Sequence, residues 1–177
     1  LSILNEEGYV VFASKEYMSR VRGGSNSTEI RVSSGNSRAF VNNVDIFFPF
    51  DRAAFEHIRP RVHEKTIIVA DEKSMVASSD YRIFRAPISG IASELGNALY
   101  ENTVAAGVVL GLLGADISGL DGYIRNRFSS KGESVIEGNI EAGHRGYKLG
   151  EHLAYTENIG IKIAGNASLK DVDRILL

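Results

Sequence analysis

The sequence predicts an α/β fold with an open, mostly parallel sheet covered by helices and a helical second half. Two observations carry that expectation. Short apolar runs separated by charged or glycine-bearing segments fill the first ninety residues, as strands buried on both faces would. Beyond them, apolar residues recur at helical spacing over long stretches. Strands interleaved with helices argue for a sheet whose faces are covered.

Taken in order, "LSILNEEG" reads as the last turns of an amphipathic helix with Gly8 as its C-terminal cap. "YVVFAS" reads as a short buried strand. "STEIRVSS" alternates as a half-buried strand should, with Ile30 and Val32 expected inward and Arg31 and Ser33 outward. "VDIFFPF", Val44 to Phe50, is nearly continuous and apolar, and Pro49 marks where its ladder stops. "RAAFEHIRPRV" is a short helix closed by Pro60, because the ring disfavours helix in the residue before it. "TIIVAD" and "YRIFRAPI" are two further strands.

"ELGNALYENTVAAGVVLGLLG" predicts a helix with a break near Asn97. Val104, Val108 and Leu112 mark its buried stripe, and Gly107 and Gly111 allow a neighbour to approach closely. "SGLDGYIRNRFSSKG" predicts a short amphipathic helix bearing Leu120, Ile124 and Phe128. "ESVIEGNIEAGHRGYKLGEHLA" is the longest helical pattern, with Ile136, Ile140 and Tyr147 on one stripe and Gly143, Gly146 and Gly150 close together. Each glycine costs helix formation about 1 kcal/mol against alanine, so this helix depends on tertiary contacts. In the tail, Ile159, Ile161 and Ile163 alternate before a linker and "RILL", a strand cut short.

Composition narrows the function. The 177 residues suit one domain, which would bury roughly 70% of its unfolded surface. Net charge is −2, so no broad basic face offers itself to nucleic acid, and one RGG triplet is not a repeat. The longest apolar run, Thr103 to Ala115, is short of the roughly 20 residues that span a bilayer. No signal peptide is legible, and a cytoplasmic setting is the expectation. With no cysteine there is no disulfide, thiol nucleophile or thiolate-held cluster within these residues.

No catalytic set and no metal site stands out. His57 and His63 sit in a charged surface segment, while His144 and His152 lie about two turns apart on one helix, too far to share a metal; all four read as structural or solvated. Asp51 and Asp71 end apolar strands, where open sheets often place functional acids; capping of the next turn is the favoured reading. Lys131, in the turn "KGES", offers only a weak phosphate signal.

The segment "SRVRGGSNS" is the best candidate. Backbone amides beside Gly23 and Gly24 can approach an anion closely because no Cβ intervenes. Arg20 and Arg22 supply forked donors suited to phosphate or carboxylate, and Ser19 adds a neutral donor. The loop follows the first strand, so it is expected at the carboxyl end of the sheet, where ligands of Rossmann-like folds bind. On residue chemistry alone, anion binding, a subunit contact and a plain turn with solvated arginines all stay open.

"EGYVVFASKEYMSRVRGGSNSTEIRVSS" resembles the gamma domain of the 2-oxoacid:ferredoxin oxidoreductases, with Glu16, Tyr17, Ser19, Arg22, Gly23 and Gly24 matching in order. The likeness continues through "VDIFFPFD", "NTVAAGVVLGLLG" and "RFSSKGESVIEGNIEAGHRGY". It implies a gamma-type domain over residues 1–168, with 169–177 a linker into a following domain. It also implies a first strand and glycine-rich loop ahead of Leu1, as in the N-terminal part of a fused alpha subunit. The implied activity is oxidative decarboxylation of a 2-oxoacid such as 2-oxoglutarate or pyruvate, with acyl transfer to coenzyme A and electrons passed to ferredoxin. Ser19, Arg22, Gly23 and Gly24, with Arg20 added on chemical grounds, would contact coenzyme A in the assembled enzyme. Thiamine diphosphate, magnesium and iron–sulfur clusters would belong to other domains or subunits. The implied partners are the alpha and beta portions and, through the holoenzyme, ferredoxin; a dimer is allowed for, and the domain alone is not expected to be active. The alternative is an assembly module that binds no nucleotide of its own.

Overall fold

The structure is a computed structural model that describes residues 1–17, 26–35, 39, 41–74 and 76–159. The chain forms two compact units, one of Leu1–Val11, Val32–Asn36 and Ile88–Leu177, the other of Phe12–Arg31 and Ser37–Pro87.

The second unit holds a three-stranded parallel sheet ordered β3-β4-β5 (Ile46–Phe47, Ile67–Asp71 and Ile83–Ala86). The central strand is the apolar run the sequence pointed to: Ile68, Val69 and Ala70 are no more than 1% exposed. Alternation sends Ile68 and Ala70 to one face, where they meet Phe47, Phe55, Val62 and Val76. Helix α2 (Arg52–Ile58) covers that face, its Phe55 ring stacked on Phe47 at 6.1 Å. Asp51 starts the helix by accepting a hydrogen bond from the Ala54 amide at 2.7 Å, a cap worth about 1 kcal/mol. Pro60 opens a 3-10 turn, Arg59–Arg61, that ends the helical segment.

Helix α1 (Ser2–Glu6) closes as expected at Gly8, whose φ of 84° lets the Tyr9 amide reach back to Leu4 and the Gly8 amide to Asn5. Strand β1 (Val10–Tyr17) then pairs with β2 (Asn26–Ser33) in a separate two-stranded sheet. A link as short as residues 18–25 allows only an antiparallel pair. This departs from the sequence reading of "YVVFAS" as a strand of the buried sheet. After Phe12 the chain offers Ala13, Ser14, Lys15 and Glu16, all exposed. Of the two residues of β2 expected inward, Val32 is partly buried but Ile30 is 47% exposed, and in that outer part of the strand Ser27, Glu29 and Arg31 are the partly covered residues. At the base of the ribbon, Val11 and Val32 pack on the apolar cluster of the first unit.

That first unit is helical. Helix α3 (Ile88–Glu94) is followed by a 3-10 turn, Ala98–Tyr100, and by α4 (Glu101–Leu113), α5 (Leu120–Arg127) and α6 (Glu133–Thr156). The expected break sits at Asn97, whose side chain accepts from the Leu99 amide at 2.9 Å. Helices α4 and α6 interlock through their glycines. A Cβ on Gly107 would lie 2.3 Å from the Gly143 carbonyl oxygen, and one on Gly111 only 2.2 Å from that of Tyr147. In return, Cβ atoms on Gly146 and Gly150 would meet the carbonyl oxygens of Val104 and Val108 at 2.1 and 2.2 Å. The contacts climb both helices together, so α4 and α6 run parallel. Buried Asn139 fixes their register, accepting from Thr103 Oγ1 at 2.7 Å and donating to the Val135 carbonyl at 2.8 Å. The Tyr147 hydroxyl donates to the Ala115 carbonyl at 2.9 Å. Among the described residues no helix is long and apolar enough to cross a membrane. The tail expected to alternate at Ile161 and Ile163 lies outside the described residues, as does the proposed linker.

Candidate functional site

The five candidate residues, Ser19, Arg20, Arg22, Gly23 and Gly24, also lie outside the described residues. What the structure defines is the stem that carries them. β1 leads into the segment at Glu16 and Tyr17, and β2 leads out at Asn26 and Ser27. The strand that precedes the segment, β1, pairs with β2 and is not a strand of the parallel sheet, on whose carboxyl edge the sequence reading had placed it.

Two polar clasps hold this ribbon within its unit. The first centres on Glu16 Oε2, which accepts from Ser27 Oγ at 3.2 Å and faces His57 Nε2 of α2 at 3.2 Å. The imidazole, then the Ser27 hydroxyl, hold the Glu16 carboxyl below the usual carboxylate range. The second clasp is a bidentate pair in which Arg61 donates to both Glu29 oxygens, at 2.7 and 2.8 Å. The same guanidinium donates to the backbone carbonyls of Asn42 and Val41, at 2.9 and 3.0 Å. Its bonds to Glu29 raise the Arg61 pKa further above the ordinary arginine value. Arg31 donates to the Ala39 carbonyl on the same side.

The chemistry of this stem is that of support. The Glu16 carboxyl, held below the usual range and bonded through one oxygen to both Ser27 and His57, is suited to orient the strand ends and not to deliver a proton. Among the described residues, no three His, Cys, Asp or Glu side chains come together to hold a metal. The acids at strand ends serve their turns: Asp51 caps α2, and Asp71 accepts from the Lys73 amide at 2.8 Å. His144 Nε2 pairs with Asp121 at 2.7 Å, and His63 Nδ1 accepts from the Lys65 amide at 3.2 Å.

The roles of Glu29, His57 and Arg61 are not foreseeable from the sequence. Strand β2 alternates in two phases at once, Ile30 with Val32 and Glu29 with Arg31. Hydrophobicity favours the first phase; the cation at Arg61, thirty-two positions from Glu29, selects the second.

Comparison with known proteins adds the family. A family model described as pyruvate ferredoxin/flavodoxin oxidoreductase matches residues 1–149. A solved 2-oxoglutarate:ferredoxin oxidoreductase from Magnetococcus marinus, with 2-oxoglutarate, coenzyme A and succinyl-CoA bound, is similar at a TM-score of 0.80 and 22% identity. That likeness covers 96% of this chain and 30% of the other, so the chain spans less than a third of that protein's length. The gamma subunit of a keto/oxoacid ferredoxin oxidoreductase from Geobacter sulfurreducens PCA is similar at a TM-score of 0.63 and 19% identity, covering 85% of this chain and 89% of that one. No curated protein matches the sequence. At these identities the two structures speak for a shared fold, while the family model takes in the ribbon, the parallel sheet and most of the helical unit. The chain belongs to the pyruvate ferredoxin/flavodoxin oxidoreductase family.

Proposed function

We propose that this chain is the gamma-type domain of a 2-oxoacid:ferredoxin oxidoreductase, where it contributes a coenzyme A contact and an assembly surface. The observation that carries this reading is the likeness, over 96% of the chain, to an oxidoreductase solved with coenzyme A bound. In such an enzyme a 2-oxoacid loses carbon dioxide, its acyl group passes to the thiol of coenzyme A, and the electrons released go to ferredoxin. This chain's part is to bind and orient. Arg22 and Arg20 offer forked donors to the phosphates of coenzyme A, and the amides beside Gly23 and Gly24 approach the same oxygens. Ser19 adds a hydroxyl. With no cysteine here, iron–sulfur clusters belong to other parts of the enzyme, as do thiamine diphosphate and magnesium on this reading. The domain extends over residues 1–168 and leads through 169–177 into its neighbour, in a cytoplasmic enzyme.

Calorimetry of the complete assembly with coenzyme A tests the reading. Arg22→Ala should weaken binding by about 1.5–3 kcal/mol, the worth of a charged hydrogen bond. Unchanged affinity in an intact assembly would remove the loop from the site. An assembly that dissociates, with affinity preserved in the fraction still assembled, would make the segment a subunit contact instead.

A further inference from the structure

We propose that Arg85 is the clamp that seats Val76 beneath the parallel sheet, letting a connector without a helix cover that face, and that the start of the connector loosens by itself when the clamp is removed. The inference does not depend on what the chain binds. β4 and β5 are parallel neighbours, a pairing usually bridged by a crossover helix. Here no described residue between Asp71 and Ile83 is helical. The connector instead sends one apolar side chain inward. Val76 is fully buried, in the cluster of Phe47, Phe55, Val62, Ile68 and Ala70, while Ala77 beside it is exposed.

The register of β5 places the clamp. Ile83 pairs with Ile68 and Arg85 with Ala70, so both side chains leave β5 on the face that Val76 covers. Arg85 Nη1 donates to the Ser74 carbonyl at 3.3 Å, to Ser74 Oγ at 3.3 Å and to the Asp71 carbonyl at 3.4 Å. Nη2 donates to the Val76 carbonyl. The guanidinium is a rigid fork, so anchoring one nitrogen on Ser74 fixes where the other meets Val76. The turn it grips is already shaped: the Ser74 amide and hydroxyl donate to the Asp71 carbonyl at 3.0 and 2.7 Å, and the Lys73 amide to Asp71 Oδ1 at 2.8 Å. Arg59, Arg61, Arg125 and Arg145 each meet a carboxylate. Arg85 meets carbonyls and a hydroxyl, so the shape of its fork matters here more than its charge.

Hydrogen exchange on the intact protein tests this, with Arg85→Gln and Arg85→Lys beside the parent. In both variants the amides of Lys73, Ser74 and Ala77 should exchange at least about tenfold faster, the range for losing a hydrogen bond from a charged donor. Those of Ile68–Ala70 should keep their rate, since β4 is paired on both sides by β3 and β5. Because the clamp acts through Val76, adding Arg85→Gln to Val76→Ala should accelerate the same amides by no more than about threefold, as coupled sites are not additive. Unchanged exchange in Arg85→Gln, or full rescue by Arg85→Lys, would overturn the proposal. So would loss of β4 protection in step with the connector's, or an undiminished effect of Arg85→Gln once the Val76 side chain is gone.

Discussion

Glu16 stands where β1, β2 and α2 meet, and one of its oxygens serves both Ser27 and His57. Its carboxyl is held below the ordinary range, so the folded protein binds a proton there less readily than the unfolded chain does. The stabilisation this gives is complete above the unfolded carboxylate value, about 4.3, and is lost as pH falls through the lower folded value. A carbon-13 titration of the Glu16 carboxyl should place it below an ordinary glutamate. In His57→Ala the midpoint should rise toward the ordinary value, since the imidazole is the largest cause of the shift. A midpoint that ignores His57 would mean the contact is not made in solution. Such pairings were not legible in the sequence, because Glu16 and His57 lie forty-one positions apart and nothing local couples them. The caps were legible: Asp51 before "RAAFEHI" and Gly8 after "SILNEE" act on atoms within a turn of themselves.

At the scale of elements, α4 and α6 show what periodicity reports and what it omits. The apolar stripes and the clustered glycines were visible, and so was the need for a close neighbour. Which glycine faces which carbonyl was not, since that depends on α5 returning the chain so that α6 runs parallel to α4. The geometry predicts opposite outcomes for two substitutions that look alike on paper. Gly107→Ala places a methyl group 2.3 Å from the Gly143 carbonyl oxygen and 2.8 Å from the Tyr147 amide nitrogen. Backbone cannot give way as a side chain can, so the clash should outweigh the helix propensity gained and destabilise by about 1–3 kcal/mol. At Gly122, within α5, a methyl group would meet nothing within 4 Å, so Gly122→Ala should stabilise by about 0.4–1 kcal/mol. Urea melts of the two variants beside the parent check both signs. The ribbon teaches the reverse lesson: β1 and β2 were recognised as strands, but their partner sheet was misjudged, because an apolar run of three or four residues suits a ribbon base as well as a sheet interior.

For the whole molecule, the central strand was the most legible feature and the division into units the least. "TIIVAD" is apolar on both faces, as a strand covered on both sides in a parallel sheet is. The chain, however, passes between its units after residues 11, 31, 36 and 87, and no local pattern marks those crossings. Among the described residues, one apolar cluster lies around Ile68 and Phe55 and another around Leu120 and Ile136. Clusters on different units of the chain are candidates for different cooperative units. Ile68 is completely buried, and Ile68→Ala should cost about 2–5 kcal/mol, the transfer energy of the lost atoms plus the cavity left among Phe47, Phe55 and Val76. Exchange should then accelerate across Ile67–Asp71 and Ile83–Ala86 by the full amount of that loss. The amides of Ile136–Gly150, whose helix is locked to α4 by backbone contact, should keep their protection. Equal acceleration in both places would mean that the two clusters melt as one body and that the chain's stability is set jointly.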